Sequence, residues 1–178
     1  MLFVSFFIGG LPMKITILYY SETGNTAKMA DAIEYGIHAV GTIEVKKMNL
    51  NSADEKSMDI DFVNDSAAVI FGTPTYVANM CWQMKRWFDT DWECKLAGKL
   101  GAAYATANSP HGGADVAILG VINHLLVKGM LVYSSGAGCG RPFIHLGPIA
   151  LKDELDEKRP LFELFGKRIA EKAIELFG

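Results

Sequence analysis

Ile15-Thr16-Ile17-Leu18-Tyr19-Tyr20-Ser21-Glu22-Thr23-Gly24-Asn25-Thr26 is the stretch on which the fold is decided. Its apolar opening reads as a strand, Lys14–Tyr20, and the amphipathic segment that follows, Asn25–Ala39, reads as a helix. The tight loop between them carries three hydroxyls (Ser21, Thr23, Thr26), one amide (Asn25), one glycine (Gly24) and no basic residue. A helix N-terminus offers unpaired backbone N–H groups and the positive end of the helix dipole, so it is a ready anion site. Hydroxyls and N–H groups without a lysine suit a phosphate monoester held by hydrogen bonds. The loop lacks the Gly-Lys-Ser/Thr ending of a Walker A motif, and one glycine cannot supply G-x-G-x-x-G. Thr and Asn are also ordinary helix caps, but capping alone does not call for a hydroxyl cluster after a buried strand.

Working outward, four more strands are expected at Thr42–Met48, Ala67–Thr73, Lys99–Thr106 and Leu131–Ser134. Ala67-Ala68-Val69-Ile70-Phe71-Gly72 is continuously apolar, as in strands covered on both faces of a parallel sheet. Helices fit at Asn25–Ala39, Asn79–Asp89, Gly113–Lys128 and Leu161–Phe177, and the acidic stretch Asn51–Asn64 carries at most a short one. Strands alternating with helices specify βαβ units with right-handed crossovers. The expected architecture is a three-layer, doubly wound α/β domain over residues 13–178. Residues 1–12 form an N-terminal extension: apolar from Leu2 to Ile8, too short to span a bilayer, and without the positive start of a signal peptide. Ser135–Pro160 is an irregular insertion, read either as a lid or interface or as a surface excursion.

The chain has 178 residues, half of them hydrophobic, which suffices for a substantial core. A net charge of −3 and a pI near 5.8 argue against nucleic acid as main partner. Three cysteines without framework spacing suggest a reducing compartment, hence the cytoplasm, and give no support for a metal site.

In open α/β sheets, ligands bind beyond the carboxyl ends of the strands. Three loops leave those ends: Ser21–Thr26, Thr73–Asn79 and Ala107–Gly113. In the second loop, Pro74 and Thr75 set the chain direction, and Tyr76 offers an aromatic face. Backbone groups of Val77, Ala78 and Asn79 are then free for the polar edge of a flat ring. In the third, Ala107, Asn108, Ser109 and His111 line the approach, and Gly112 and Gly113 allow close contact with a ligand. A phosphate pocket beside two loops suited to a planar heteroaromatic describes a mononucleotide site, and flavin mononucleotide (FMN) fits best.

Ser21-Glu22-Thr23-Gly24-Asn25-Thr26 resembles the phosphate loop of the flavodoxin-like proteins. The resemblance implies a five-stranded parallel sheet of order 2-1-3-4-5. Pro74-Thr75-Tyr76-Val77-Ala78-Asn79-Met80, then Gln83-Met84-Lys85 and Phe88-Asp89, is similar to the tryptophan-repressor-binding-protein branch, whose members are NAD(P)H:quinone oxidoreductases. Two positions depart from that branch. Lys128 stands where it usually has a His, and Asn108-Ser109-Pro110-His111-Gly112-Gly113 replaces its glycine-rich third loop. The resemblance implies an FMN-dependent oxidoreductase passing hydride from NAD(P)H to a quinone or similar acceptor, as a homodimer or homotetramer. The alternative is a flavodoxin-type electron carrier without its own NAD(P)H turnover. Such carriers tend to be strongly acidic, which −3 is not.

His111 is the one catalytic candidate, against the reading of an exposed loop histidine. Trp82, Trp87 and Trp92 read as packing residues, His124 as structural and Lys128 as a helix C-terminal cation. Met80, Met84, Trp87 and Phe88 read as a core stripe. Cys139, between Gly138 and Gly140, has no basic neighbour in sequence to activate it.

Overall fold

The computed structural model describes residues 12–51 and 58–178. The expected N-terminal extension, apart from Pro12, lies outside the described residues, as does part of Asn51–Asn64. Apolar runs that cannot face water on either side assemble the sheet. β1 (Met13–Tyr19) lies between β2 (Ile43–Asn49) and β3 (Ala68–Tyr76), and β5 (Leu100–Ala107) pairs with β3, all in parallel. β6 (Leu131–Val132) pairs with the first two residues of β5. The path β2-β1-β3-β5-β6 is the expected doubly wound order 2-1-3-4-5, counting the five anticipated strands alone.

Alternate residues of the strands feed two cores. Ile15, Ile17 and Ile70 face α1 (Asn25–His38) and α5 (Leu155–Phe177), while Leu18, Val69 and Phe71 face α3 (Trp82–Thr90) and α4 (Ala114–Val127). Near β1 and β3, α2 (Ile60–Asp65) is the short helix allowed for, with Asp59 capping the Phe62 amide. α1 and α5 meet backbone to backbone. A Cβ on Gly36 would lie 1.8 Å from the Glu163 carbonyl oxygen, and one on Gly166 would lie 2.1 Å from that of Ile33. On the other face Phe71 packs against Trp87 (ring centroids 5.6 Å apart) and Phe88 (5.1 Å). The expected stripe Met80, Met84, Trp87, Phe88 is buried.

Four expectations need correction. The third strand does not stop at Thr73. It runs through Pro74 to Tyr76 and folds back as β4 (Asn79–Met80), so the expected second loop is a two-residue β-hairpin. Pro74 is tolerated because β3 parts from β1 after Gly72 and needs no donor on that edge beyond it. The third helix therefore starts at Trp82, not Asn79. The last helix starts at Leu155, with Pro160 inside its second turn. The insertion is correspondingly shorter. It contributes β7 (Ile149–Leu151), which pairs with Ala105–Ala107 at the top of β5. It is also pinned to α5 by Arg168, which donates to Ser135 Oγ and the Cys139 carbonyl. Finally, Trp87 is buried, but Trp82 (62% exposed) and Trp92 (76%) are not packing residues; Lys128 sits over the Trp92 ring.

Candidate functional site

Gly24 ends the first loop and caps α1 with φ 94°, a conformation other residues adopt only under strain. Its carbonyl accepts the Lys28 amide. Gly24 has no side chain with which to cap the helix, and the amides of Glu22, Thr23, Gly24, Asn25 and Thr26 find no partner among the described residues. The hydroxyls are partly engaged. Ser21 Oγ accepts the Ala27 amide (3.2 Å), and Thr26 Oγ1 pairs with Thr106 Oγ1 (2.9 Å). A hydroxyl that accepts keeps its own proton, and in a pair of hydroxyls one proton stays free, so both positions still hold a donor. The nearby cation, Lys28, is paired with Asp156 (2.7 Å). The start of α1 is thus a cradle of neutral donors.

Bonds between loops draw the three expected segments together. Thr26–Thr106 joins the first loop to β5, and Tyr104, fully buried, donates to the Thr26 carbonyl (3.1 Å). Tyr76 donates to Glu22 (3.3 Å), joining hairpin to first loop. Burial, then this carboxylate, pushes the Tyr76 phenol up to about 12. The hairpin tip meets the third loop: a Cβ on Gly113, the N-cap of α4 (φ 81°), would lie 2.6 Å from the Ala78 Cβ. Val77 and Ala78 both have positive φ, as a twisted two-residue hairpin requires. Thr73 Oγ1 donates to the Pro74 carbonyl and accepts the Cys81 amide, tying the hairpin's ends. In the third loop the Ser109 carbonyl accepts the Gly112 amide, and its hydroxyl the His111 amide; Asn108, Ser109 and His111 are exposed beside buried Ala107.

The residues fit FMN on one unexplained feature in particular. Thr75 Oγ1, near the end of β3, is buried without a hydrogen-bond partner among the described residues. A buried polar atom left unpaired is destabilising unless a ligand supplies the partner. Together with the cation-free cradle, this matches a phosphorylated, hydrogen-bonding planar group.

Sequence reasoning missed Asn49, whose side-chain amide accepts from the Ser21 amide and donates to the Ser21 carbonyl (3.0 and 3.1 Å). It also missed Thr106, and Lys152, whose amide bonds the Ala107 carbonyl. A polar residue at the carboxyl end of a strand was the available signal for Asn49 and Thr106. His124 is structural, bonded to the Gly120 carbonyl and stacked on Phe88. Among the described residues no cluster of His, Cys, Asp and Glu could hold a metal ion, and no helix is long and apolar enough to cross a membrane.

The sequence profile of the family described as Flavodoxin matches residues 17–127. A protein named flavodoxin from Clostridium saccharobutylicum is 49% identical over 165 residues, covering 93% of this chain and 100% of its own. An NAD(P)H dehydrogenase (quinone) from Geotalea daltonii is 34% identical over 144 residues, covering 67% and 70%. The crystal structure of the flavodoxin, WrbA-like protein from Agrobacterium tumefaciens superposes with a TM-score of 0.73 at 20% identity, covering 92% and 98%, a likeness of fold. Cradle, sheet order and profile agree, and the chain belongs to the flavodoxin family.

Proposed function

We propose that the protein is an FMN-binding electron carrier of the flavodoxin type. The observation that carries the reading is the set of partnerless amides from Glu22 to Thr26, aimed from one helix start without a free cation and joined to two further loops of the same chain. The amides, with the side chains of Thr23 and Asn25, hold the phosphate. Thr75 Oγ1, the backbone of Val77 to Asn79, and Ala107 to Gly113 line the ring, and Tyr76 offers it an aromatic face. FMN supplies electron-transfer chemistry that no side chain has, while the protein sets its orientation and surroundings.

The relative at 49% identity, matched over its whole length and named flavodoxin, favours the carrier over the enzyme implied by the resemblance to the tryptophan-repressor-binding-protein branch. The modest net charge does not outweigh it. A second reading, NAD(P)H-dependent reduction of a quinone by a homo-oligomer, is favoured by the Pro74–Met80 stretch and by the 34%-identical quinone dehydrogenase. Anaerobic stopped-flow mixing of the FMN-saturated protein with NADH and NADPH separates them. A carrier keeps its yellow absorbance with both donors and loses it with dithionite. Rapid bleaching by either donor, reversed by added quinone, transfers the conclusion to the second reading. Failure to bind FMN at all would defeat both.

A further inference from the structure

A groove of about 380 Å³ opens on the flank of the sheet, between the end of β2 and α3. This lies near the lower end of the ~300–1,000 Å³ range of small-molecule sites. It is lined by three indoles, Trp82, Trp87 and Trp92, with Gln83, Arg86 and Leu50. Two of the indoles are largely exposed, although aromatic rings are among the most favourable groups to bury. Trp87 is nine-tenths buried, and among the described residues its indole N–H has no acceptor; the Gln83 side-chain oxygen is likewise buried without a donor among them. Arg86 forms no ion pair or side-chain hydrogen bond among the described residues, whereas Lys85 beside it is paired with Asp89. The lining carries two acids, Asp91 (which also accepts the amides of Glu93 and Cys94) and Glu93, against Arg86 and the Lys128 ammonium on Trp92, so the charge balance allows an occupant no more than one anionic group, held at Arg86.

We propose that this groove is a second ligand site, for a flat aromatic molecule of one or two rings bearing one carboxylate or sulfonate. The exposed indoles of Trp82 and of Trp92, the latter by the face away from Lys128, take the ring, and the guanidinium takes the anion, a pairing that favours planar oxyanions. The unpaired Trp87 N–H gives the interior of the site a donor, and Gln83 an acceptor. The site is separate from the cradle at the start of α1 but adjoins it. Asn49 lines the groove and its side-chain amide holds Ser21 in place.

Sodium naphthalene-2-sulfonate is a suitable probe, titrated into the ¹⁵N-labelled full chain with and without FMN, so that the result is independent of the cofactor assignment. The three indole N–H resonances are read directly, with Trp82→Phe and Trp92→Phe assigning Trp87 by elimination. A saturable shift of the Trp87 resonance is expected, with a Kd of about 1 mM or tighter for a ligand of this size. Arg86→Gln weakens binding about tenfold, the loss of one charge-assisted contact, while Lys85→Gln leaves it unchanged. Neutral naphthalene-2-carboxamide binds wild type and Arg86→Gln alike. Shifts confined to the two exposed indoles, or equal affinity of the sulfonate for wild type and Arg86→Gln, overturn the proposal.

Discussion

Replacing Gly36 or Gly166 by alanine tests the backbone-to-backbone contact of α1 with α5. In isolation, each change should help a helix by ~1 kcal/mol, since alanine is the better helix former. In place, the new Cβ meets backbone, which has no rotamer to move: 1.8 Å from the Glu163 oxygen for Gly36 and 2.1 Å from the Ile33 oxygen for Gly166, where ordinary contact begins at 3.4 Å. The helices must part by about 1.5 Å, and a gap of that size removes a large share of the dispersion contacts across it. Ile33, Ile37, Phe162, Phe165 and Ile169 are fully buried in this layer and lose contact together. Overpacked cores lose ~1–3 kcal/mol; two opposed backbones put this site at or above the top of that range. After the gain in helix propensity, each single variant should lose about 2 kcal/mol. Urea unfolding would then show a midpoint lower by about 1 M at unchanged slope. One separation of the helices relieves both clashes, so the double variant should lose clearly less than the two singles together. Gly41→Ala, where a Cβ meets nothing within 4 Å, is the control. Neutral single variants, or strictly additive losses, would refute the packing argument.

Gly113→Ala combines a positive φ with a clash against Ala78 and should lower FMN affinity at least about tenfold, as strain of ~1–3 kcal/mol implies. Gly98→Ala carries a similar φ with no neighbour within 4 Å and should leave titration with FMN unchanged. Thr75→Val removes the orphaned hydroxyl, so the FMN-free protein should gain about 1 kcal/mol in denaturant unfolding while FMN binding weakens. The Tyr76 phenol, held up to about 12, keeps its proton in the folded state above the ordinary value of 10.0. Its contribution is complete below pH 10 and is lost as pH rises toward 12, because the unfolded chain releases the proton first. Unfolding measured across that window should fall less steeply in Tyr76→Phe than in wild type.

The opening strand, its loop and α1 were legible because one period gives way to another at a single glycine. The body of β3 was legible as an unbroken apolar run. The hairpin was not, because its tip is Val77-Ala78, residues that disfavour the left-handed conformation they adopt. Local sequence pointed away from a turn that the Thr73 bonds and the contact with Gly113 impose. Pro160 was misleading in a similar way. It reads as a helix boundary, yet near the start of α5 the bond it forgoes is only the one to the Asp156 carbonyl. β7 is three residues between Pro148 and a charged run, too short to show a period. The loops of the candidate site were expected from sequence; the cross-links that align them, Asn49–Ser21, Thr26–Thr106 and Tyr76–Glu22, join residues far apart along the chain and leave no local pattern.

The shared use of β5 by two short strands bears on how the protein behaves at high concentration. β6 covers its lower end with two residues and β7 its upper end with three, so this margin offers a neighbouring molecule no long row of free amides and carbonyls. The opposite margin, β2, is seven residues long but presents Glu44, Lys46 and Lys47, with both lysines held in ion pairs. Brevity on one side and charge on the other discourage strand-to-strand stacking between molecules, the first step toward fibrils.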